Sequence, residues 1–358
     1  MVETADPGAV GETPLLELEV DAAPTVYAKA EWFNQATLSY GGGSVKTRIA
    51  RAMIDAAQAS PERIDGRTLI EASSGNTGAA VARFGATRGF DVEIVLPDDA
   101  GAGKIAAIEA AGATTTFIDA ERGYDAYVGE CRAKIHRDSE RYCYLNQYEN
   151  PANPGVHAGT TGVEIWEQTG GTVTHFVAGA GTGGTLTGVS HALGDRGVDV
   201  YGFEPATDEH DIAGLKHMHS SGHYVPGTFD ADAVETMSFV PTAVAYRYAR
   251  RLHDRYEERS VRIADPGQWD ERFVRDNLRV DGDFVVGPSS GACVARVHRL
   301  SDLGVVGAGD VVVVPLPDRG DRYPERDLTV RSTAASMAST SSAPKAIGRS
   351  VGSATDST

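Results

Sequence analysis

The chain has 358 residues, 33 basic against 50 acidic side chains, a net charge of −17 and 41% hydrophobic residues. That length supports one large protein of two lobes, each able to bury its own core. The acidic balance argues against a nucleic-acid surface, whose phosphates demand cations, and a mean hydropathy of −0.25 with no apolar run near 18 residues argues against a membrane span.

In chain order, strands are expected at 25–30, 68–71, 92–96, 114–118, 142–145, 173–178, 198–204 and 311–315, with helices at 45–59, 104–111, 155–168 and 242–256. Such alternation reads as an α/β fold of parallel sheets flanked by helices. Residues 331–358 collapse to Ser, Thr, Ala and Gly without an apolar period, so disorder is expected there. Cys131, Cys143 and Cys293 are odd in number and unpatterned, which suggests neither a disulfide framework nor a zinc site and points to a reducing compartment. The first ten residues are acidic and small rather than leader-like, which makes the cytoplasm the expected location. His210, His217, His219 and His223 cluster loosely in a polar stretch and read as solvated, so no metal is expected. The acidic excess, with arginine outnumbering lysine, points to a salt-adapted surface.

Four strand-to-helix turns carry chemistry. In Gly41-Gly42-Gly43-Ser44-Val45-Lys46-Thr47-Arg48 a glycine turn gives way to an apolar-periodic helix with one lysine in its first turn. The positive end of a helix disfavours the ammonium form, so Lys46 holds more neutral amine and can form a Schiff base; the bland alternative is a solvated first-turn lysine. Ala72-Ser73-Ser74-Gly75-Asn76-Thr77-Gly78 crowds hydroxyls, an amide and N–H groups into a turn suited to a carboxylate, or simply to capping the next helix. Gly179-Ala180-Gly181-Thr182-Gly183-Gly184-Thr185 lets N–H groups approach a phosphate. It also fits G-x-G-x-x-G, with Glu204 placed as a ribose-binding acid, but a dehydrogenase needs none of the amine, asparagine and serine turns. Gly287-Pro288-Ser289-Ser290-Gly291 offers either a helix cap or a neutral hydroxyl for a ring nitrogen.

Together these turns resemble the fold-type II pyridoxal-phosphate enzymes, and among them the cysteine synthase and cystathionine β-synthase group, from about residue 11 to 323. The family's S-V-K-D-R stands here as Ser44-Val45-Lys46-Thr47-Arg48, its T-S-G-N-T-G as residues 73–78, and its G-N-T-P-L as Gly11-Glu12-Thr13-Pro14-Leu15. Its Q-x-x-N-P-A-N-P, H and T-T-G-x-E-I-W stand as residues 147–154, His157 and residues 160–166.

The resemblance implies a tryptophan synthase β-like, two-lobed fold, with a large lobe of residues 1–41 plus 153–330 and a small mobile lobe of 42–152. It implies pyridoxal 5′-phosphate joined covalently to Lys46 and cradled at its phosphate by Gly181, Thr182, Gly183, Gly184 and Thr185. Ser289 would face the pyridine nitrogen and Asn76 the ring hydroxyl oxygen. Ser73, Ser74, Thr77 and Gln147 would grip the α-carboxylate of an amino-acid substrate. The implied activity is β-replacement, making cysteine from O-acetylserine or O-phosphoserine and sulfide or another sulfur donor through an aminoacrylate, in a homodimer. Cystathionine or 2,3-diaminopropionate synthesis and serine/threonine dehydration are the nearest alternatives, and an oxidoreductase or a non-catalytic binding module the remote ones.

The chain departs from the pattern in four places. Thr47 replaces an aspartate, about six residues including Tyr40 are extra between Asn34 and Ser44, and 258–283 is a charged insertion containing Trp269. Asp211-Ile212-Ala213-Gly214-Leu215-Lys216-His217-Met218 resembles the phosphoserine-using branch, where Lys216 would meet the substrate phosphate; the alternative is a solvated loop lysine.

Overall fold

The computed structural model describes residues 8–38, 43–73, 75–123, 125–220, 224–265 and 268–323; the calls on Tyr40, Ser74, His223 and the tail at 331–358 lie outside them. The chain begins with β1 (Leu15–Leu18) and β2 (Thr25–Ala30), then enters α1 (Val45–Gln58). A compact βα series follows: β3 (Thr68–Ala72), α2 (Asn76–Thr87), β4 (Val92–Pro97), α3 (Ala102–Ala110), β5 (Thr114–Ile118), α4 (Ala126–Arg137) and β6 (Tyr142–Tyr144). An irregular helix, α5, runs through Ala152–Val156, a π-helical turn at His157–Thr161 and Gly162–Gln168. The remainder is β7 (His175–Gly179), α6 (Gly184–Leu193), β8 (Asp199–Pro205), β9 (Thr236–Val240), α7 (Thr242–Tyr256), β10 (Arg262–Ile263), α8 (Pro288–Asp302) and β11 (Val311–Leu316).

Two sheets result. The first has the order β5-β4-β3-β6 and is wholly parallel; the second has the order β10-β1-β2-β11-β7-β8-β9, parallel except where β1 pairs β2 and β10. β11 lies inside the large sheet and reads Val-Val-Val-Val-Pro-Leu, the continuous apolar run of a strand covered on both faces. One face packs on α7 and α8 through Leu252, Val294 and Val297, the other on α6 through Leu186 and Val189. The small sheet is covered likewise, by α1 and α2 on one side and α4 on the other.

Three strands were not expected. β1 is Leu-Leu-Glu-Leu, without a β-branched residue, and β10 is two residues long. The insertion at 258–283 supplies β10 and packs Trp269, 4% exposed, edge-on against Phe33 with ring centroids 5.1 Å apart. It is part of the large core rather than a solvated appendage.

Candidate active site

In parallel sheets, turns beyond the carboxyl ends of strands gather at one edge, where ligands bind. Here the turns after β3, β7, β11 and the start of α8 meet the start of α1 around a cavity of about 240 Å³. Lys46, Ser73, Asn76, Thr77, Gln147, Gly181, Thr182, Gly183, Thr185 and Ser289 all line it. Gly184 is the first residue of α6 directly behind them, and Lys216 is not among the lining residues.

Lys46 is presented by a capped helix. Ser44 Oγ accepts the Lys46 N–H at 3.2 Å, and Thr47 Oγ1 accepts the Ser44 N–H at 3.0 Å, closing a capping box. The threonine that replaces the family's aspartate therefore has a local structural task. Gly43 is required just before it, because a Cβ there would lie 1.5 Å from the Asn34 carbonyl oxygen. The amine of Lys46 opens on the cavity, yet the surrounding protein excludes enough water to lower its pKa, with the carboxylates of Asp318 and Glu31 pulling it partway back. More of it is neutral and nucleophilic than in an ordinary lysine.

Two residues past Lys46, Arg48 centres a buried ionic cluster that brings Thr13, Arg48 and Glu164 of the quoted motifs together with Lys29 and Glu31. Arg48, 1% exposed, donates to Glu31 at 2.8 Å and 3.0 Å and to both oxygens of Glu164 at 2.6 Å and 2.7 Å. Lys29 completes it, 2.7 Å from Glu164 Oε2, and Thr13 Oγ1 donates to Glu31.

The glycine loop is braced from α5. Asn153 Nδ2 donates to Thr182 Oγ1 at 2.9 Å and to the Gln147 carbonyl at 2.7 Å, while His157 Nε2 lies 3.2 Å from Thr185 Oγ1. Burial holds His157 well below its usual range, so it is neutral. Gly183 has φ +81°, the conformation a side chain rarely adopts, and leads directly into α6, whose first N–H groups have no intrahelical partners.

In the asparagine turn, Ser73 Oγ accepts the N–H groups of Gly75 and Gly78 at 3.2 Å and 2.9 Å. Thr77 Oγ1 donates to Gln147 Oε1 at 2.7 Å, and Gln147 Nε2 donates to the Ala72 carbonyl at 2.8 Å. Asn76 Nδ2 donates to Asp318 Oδ2 at 2.7 Å, and its Oδ1 accepts from Arg322 at 2.9 Å.

Asp318 and Tyr323 were not singled out from the sequence. Asp318 follows β11 as the other turns follow their strands, is 2% exposed, and also accepts from the Tyr323 hydroxyl. Its Oδ1 has no hydrogen-bond partner among the described residues, and burial raises its pKa against the pull of Tyr323 and Arg322. Lys104, also missed, reaches the cavity from α3 with its ammonium 4.8 Å from the Tyr323 ring centre. The available signal was a carboxylate at the carboxyl end of a buried strand.

Lys216 is placed differently from the expectation. Its ammonium, nearly buried, lies 2.5 Å from Asp125 Oδ1, just ahead of α4. Glu204, the ribose-binding acid of the dehydrogenase alternative, is fully buried, accepts the Met218 N–H at 2.7 Å and pairs with His219 at 2.5 Å, away from the cavity lining.

The donor set fits pyridoxal phosphate: an amine of lowered pKa, a glycine-led helix start for a dianion and a neutral hydroxyl, Ser289, all lining the same cavity. No group of three or more metal-ligating side chains occurs among the described residues, and no helix there is long and apolar enough to cross a membrane.

Comparison with known proteins points to the same cofactor. The chain is 36% identical over 324 residues to a protein named cysteine synthase from Aquifex aeolicus (strain VF5), covering 88% of each, and 34% identical over 319 residues to cysteine synthase B of Escherichia coli (strain K12), covering 88% of this chain and 92% of the relative. Among solved structures it superposes on an O-ureido-L-serine synthase with a TM-score of 0.72 at 28% identity, covering 90% and 93% of the two chains. It superposes on O-acetyl serine sulfhydrylase isoform 3 from Entamoeba histolytica with a TM-score of 0.73 at 26% identity, covering 93% and 94%. The family model described as pyridoxal-phosphate dependent enzyme matches residues 7–318, and the chain belongs to that family.

Proposed function

We propose that the protein is a cysteine synthase, replacing the β-substituent of an O-activated serine with sulfide or another sulfur donor. The observation that carries this reading is the Lys46 amine, its pKa lowered by burial, lining one cavity together with the glycine loop and Ser289. Lys46 would hold the cofactor covalently, the N–H groups of residues 181–185 would hold its phosphate, and Ser289 and Asn76 would meet its ring. When bound, pyridoxal phosphate supplies an electron sink for the charge that develops at the substrate's α-carbon.

The remaining tasks fall to the chain. Ser73, Ser74, Thr77 and Gln147 anchor the α-carboxylate, which orients the Cα–H bond toward Lys46. Once released, the Lys46 amine accepts the α-proton at Nζ and holds it while the leaving group departs. Asp318, one of whose buried oxygens has no partner among the described residues, fixes Asn76 and balances the charge of Lys46.

The lobe boundaries at 42–152 and the homodimeric state implied by the resemblance belong to the same reading, as does a cytoplasmic location; light scattering of the purified protein tests the dimer. The function is tested by supplying the holoenzyme with O-acetylserine, O-phosphoserine or serine, each with sulfide, and assaying cysteine. Cysteine from an O-activated serine supports the reading. Faster product with homocysteine, ammonia, hydroxyurea or water than with sulfide overturns it.

A further inference from the structure

Glu71 is a buried ionisable group with no task so far. It lies in β3 immediately before the Ala72-Ser73 turn and is 0% exposed. On the adjacent strand, β6 ends at Tyr144, and Asn146 turns the chain with a left-handed φ of 55°. Backbone donors at such a departure need new acceptors. The Gln147 N–H reaches Glu71 Oε1 at 3.4 Å, and the N–H groups of Asn146 and Ala72 are directed at the same carboxyl group. Gln147 is thereby held from behind while its amide spans the Ala72 carbonyl and the Thr77 hydroxyl at 2.8 Å and 2.7 Å.

We propose that Glu71 is a positioning residue for the carboxylate-binding turn: uncharged, it organises Asn146 and Gln147 from behind, and its ionisation sets a like charge against the substrate's α-carboxylate. The inference rests on the reading that Ser73, Thr77 and Gln147 hold that carboxylate.

Burial pushes the Glu71 carboxyl up to about 8, against the hydrogen bonds from Gln147, Asn146 and Ala72. Its Oε2 has no partner among the described residues, so a charge on the group is met only by those N–H dipoles. Among the described residues, no cation contributes to the shift of Glu71. Tyr144 of β6 and Cys131 of α4 both have their ionisation pushed up, by burial first and by Glu71 next. Glu93 of β4 is engaged by Lys134 of α4, and Arg132 of α4 stacks on Tyr224. The ionisable side chain of α2, Arg83, donates to Gln35 at 3.0 Å and 2.6 Å.

The sign follows from proton linkage. An ordinary glutamate releases its proton near 4.5, so between there and about 8 the folded chain keeps a proton that the unfolded chain has lost. Across that window Glu71 makes the protein less stable as pH rises, and above it the effect levels off. By reciprocity, carboxylate binding raises the Glu71 pKa further.

The test compares holoenzyme of the wild type and Glu71→Gln, which keeps an acceptor and removes the charge. Urea midpoints are expected to diverge in the variant's favour from pH 5 to 8 and to run parallel above. The wild-type KM for O-acetylserine, relative to the variant's, is expected to grow several-fold from pH 7 to 9.5 with the kcat ratio flat. Lys46 and the substrate's ammonium titrate in both proteins, so the ratio isolates Glu71. A midpoint gap that does not change with pH overturns the neutral-carboxyl role, whatever binds at the turn. A gap that widens while the KM ratio stays flat overturns the link to substrate and, with it, the assignment of Gln147 to the carboxylate. Should the variant not fold, the wild type decides the matter: acetate binding takes up protons at pH 8.5 and none at pH 6, and absence of uptake at pH 8.5 overturns the proposal.

Discussion

Arg48 and Glu164, 116 residues apart in sequence, meet with Nη1 and Oε1 2.6 Å apart. The pair joins the first turn of α1 to α5, and so joins the helix that presents Lys46 to the one that braces the glycine loop. Burial works against the Glu164 carboxylate, but Lys29 and Arg48 outweigh it and hold the group far below the usual carboxylate range. Removing one partner of such a cluster strands a buried charge. Glu164→Gln is expected to destabilise the protein by about 3–5 kcal/mol, read from urea unfolding. A loss below about 1 kcal/mol would show the cluster to be dispensable.

Asp318 is expected to set the pH at which Lys46 reacts. Its carboxylate raises the Lys46 pKa against the lowering by burial, so Asp318→Asn should leave the amine neutral at lower pH. The rate at which apoenzyme takes up pyridoxal phosphate rises with pH as the amine loses its proton. Its inflection should lie below the ordinary lysine range in the wild type and lower still in the variant. An inflection unmoved, or moved to higher pH, contradicts the assignment.

Trp269 tests whether the 258–283 insertion is structural. It packs on Phe33 and its Nε1 donates to the Glu12 carbonyl at 2.7 Å. Trp269→Phe keeps much of the packing and loses the hydrogen bond, while Trp269→Ala opens a cavity at a cost of about 3–5 kcal/mol. Denaturant unfolding should rank the alanine variant well below the phenylalanine one.

Lys216 spends its charge on Asp125 rather than on the cavity. Lys216→Ala is therefore expected to reduce kcat/KM for O-acetylserine and O-phosphoserine by similar factors, and Asp125→Asn to do likewise. A loss confined to O-phosphoserine would restore the phosphate-binding role. Steady-state kinetics with both substrates decides it.

Much of the architecture was legible because it is written locally. The strands at 25–30 and 114–118 and the helix at 242–256 fall where apolar periodicity placed them. β9 and β10 were missed because Thr-Met-Ser-Phe-Val and Arg-Ile acquire their strand character from neighbours in the sheet. The same division runs through the site. Lys46, Asn76 and Ser289 announce themselves by the turn each sits in, and the structure brings them to one cavity. Asp318 does not, because its meaning comes from Asn76, 242 residues earlier in the chain. Lys216 shows the converse: a segment suggested a phosphate ligand, and a carboxylate from a different helix start occupies its ammonium.

The ionic cluster around Arg48 also constrains how the molecule can move. α1 packs its length against α2 and the small sheet, but its first turn is pinned by Arg48 to Glu31 and Glu164. The base of α1 is thus tied to the elements of the large sheet and the rest of it to the small one, with Lys46 one residue past Val45 and two before Arg48. The lysine therefore stands where the helix passes from the buried cluster at its start to the packing of the small sheet, on a backbone that the ion pairs hold in place.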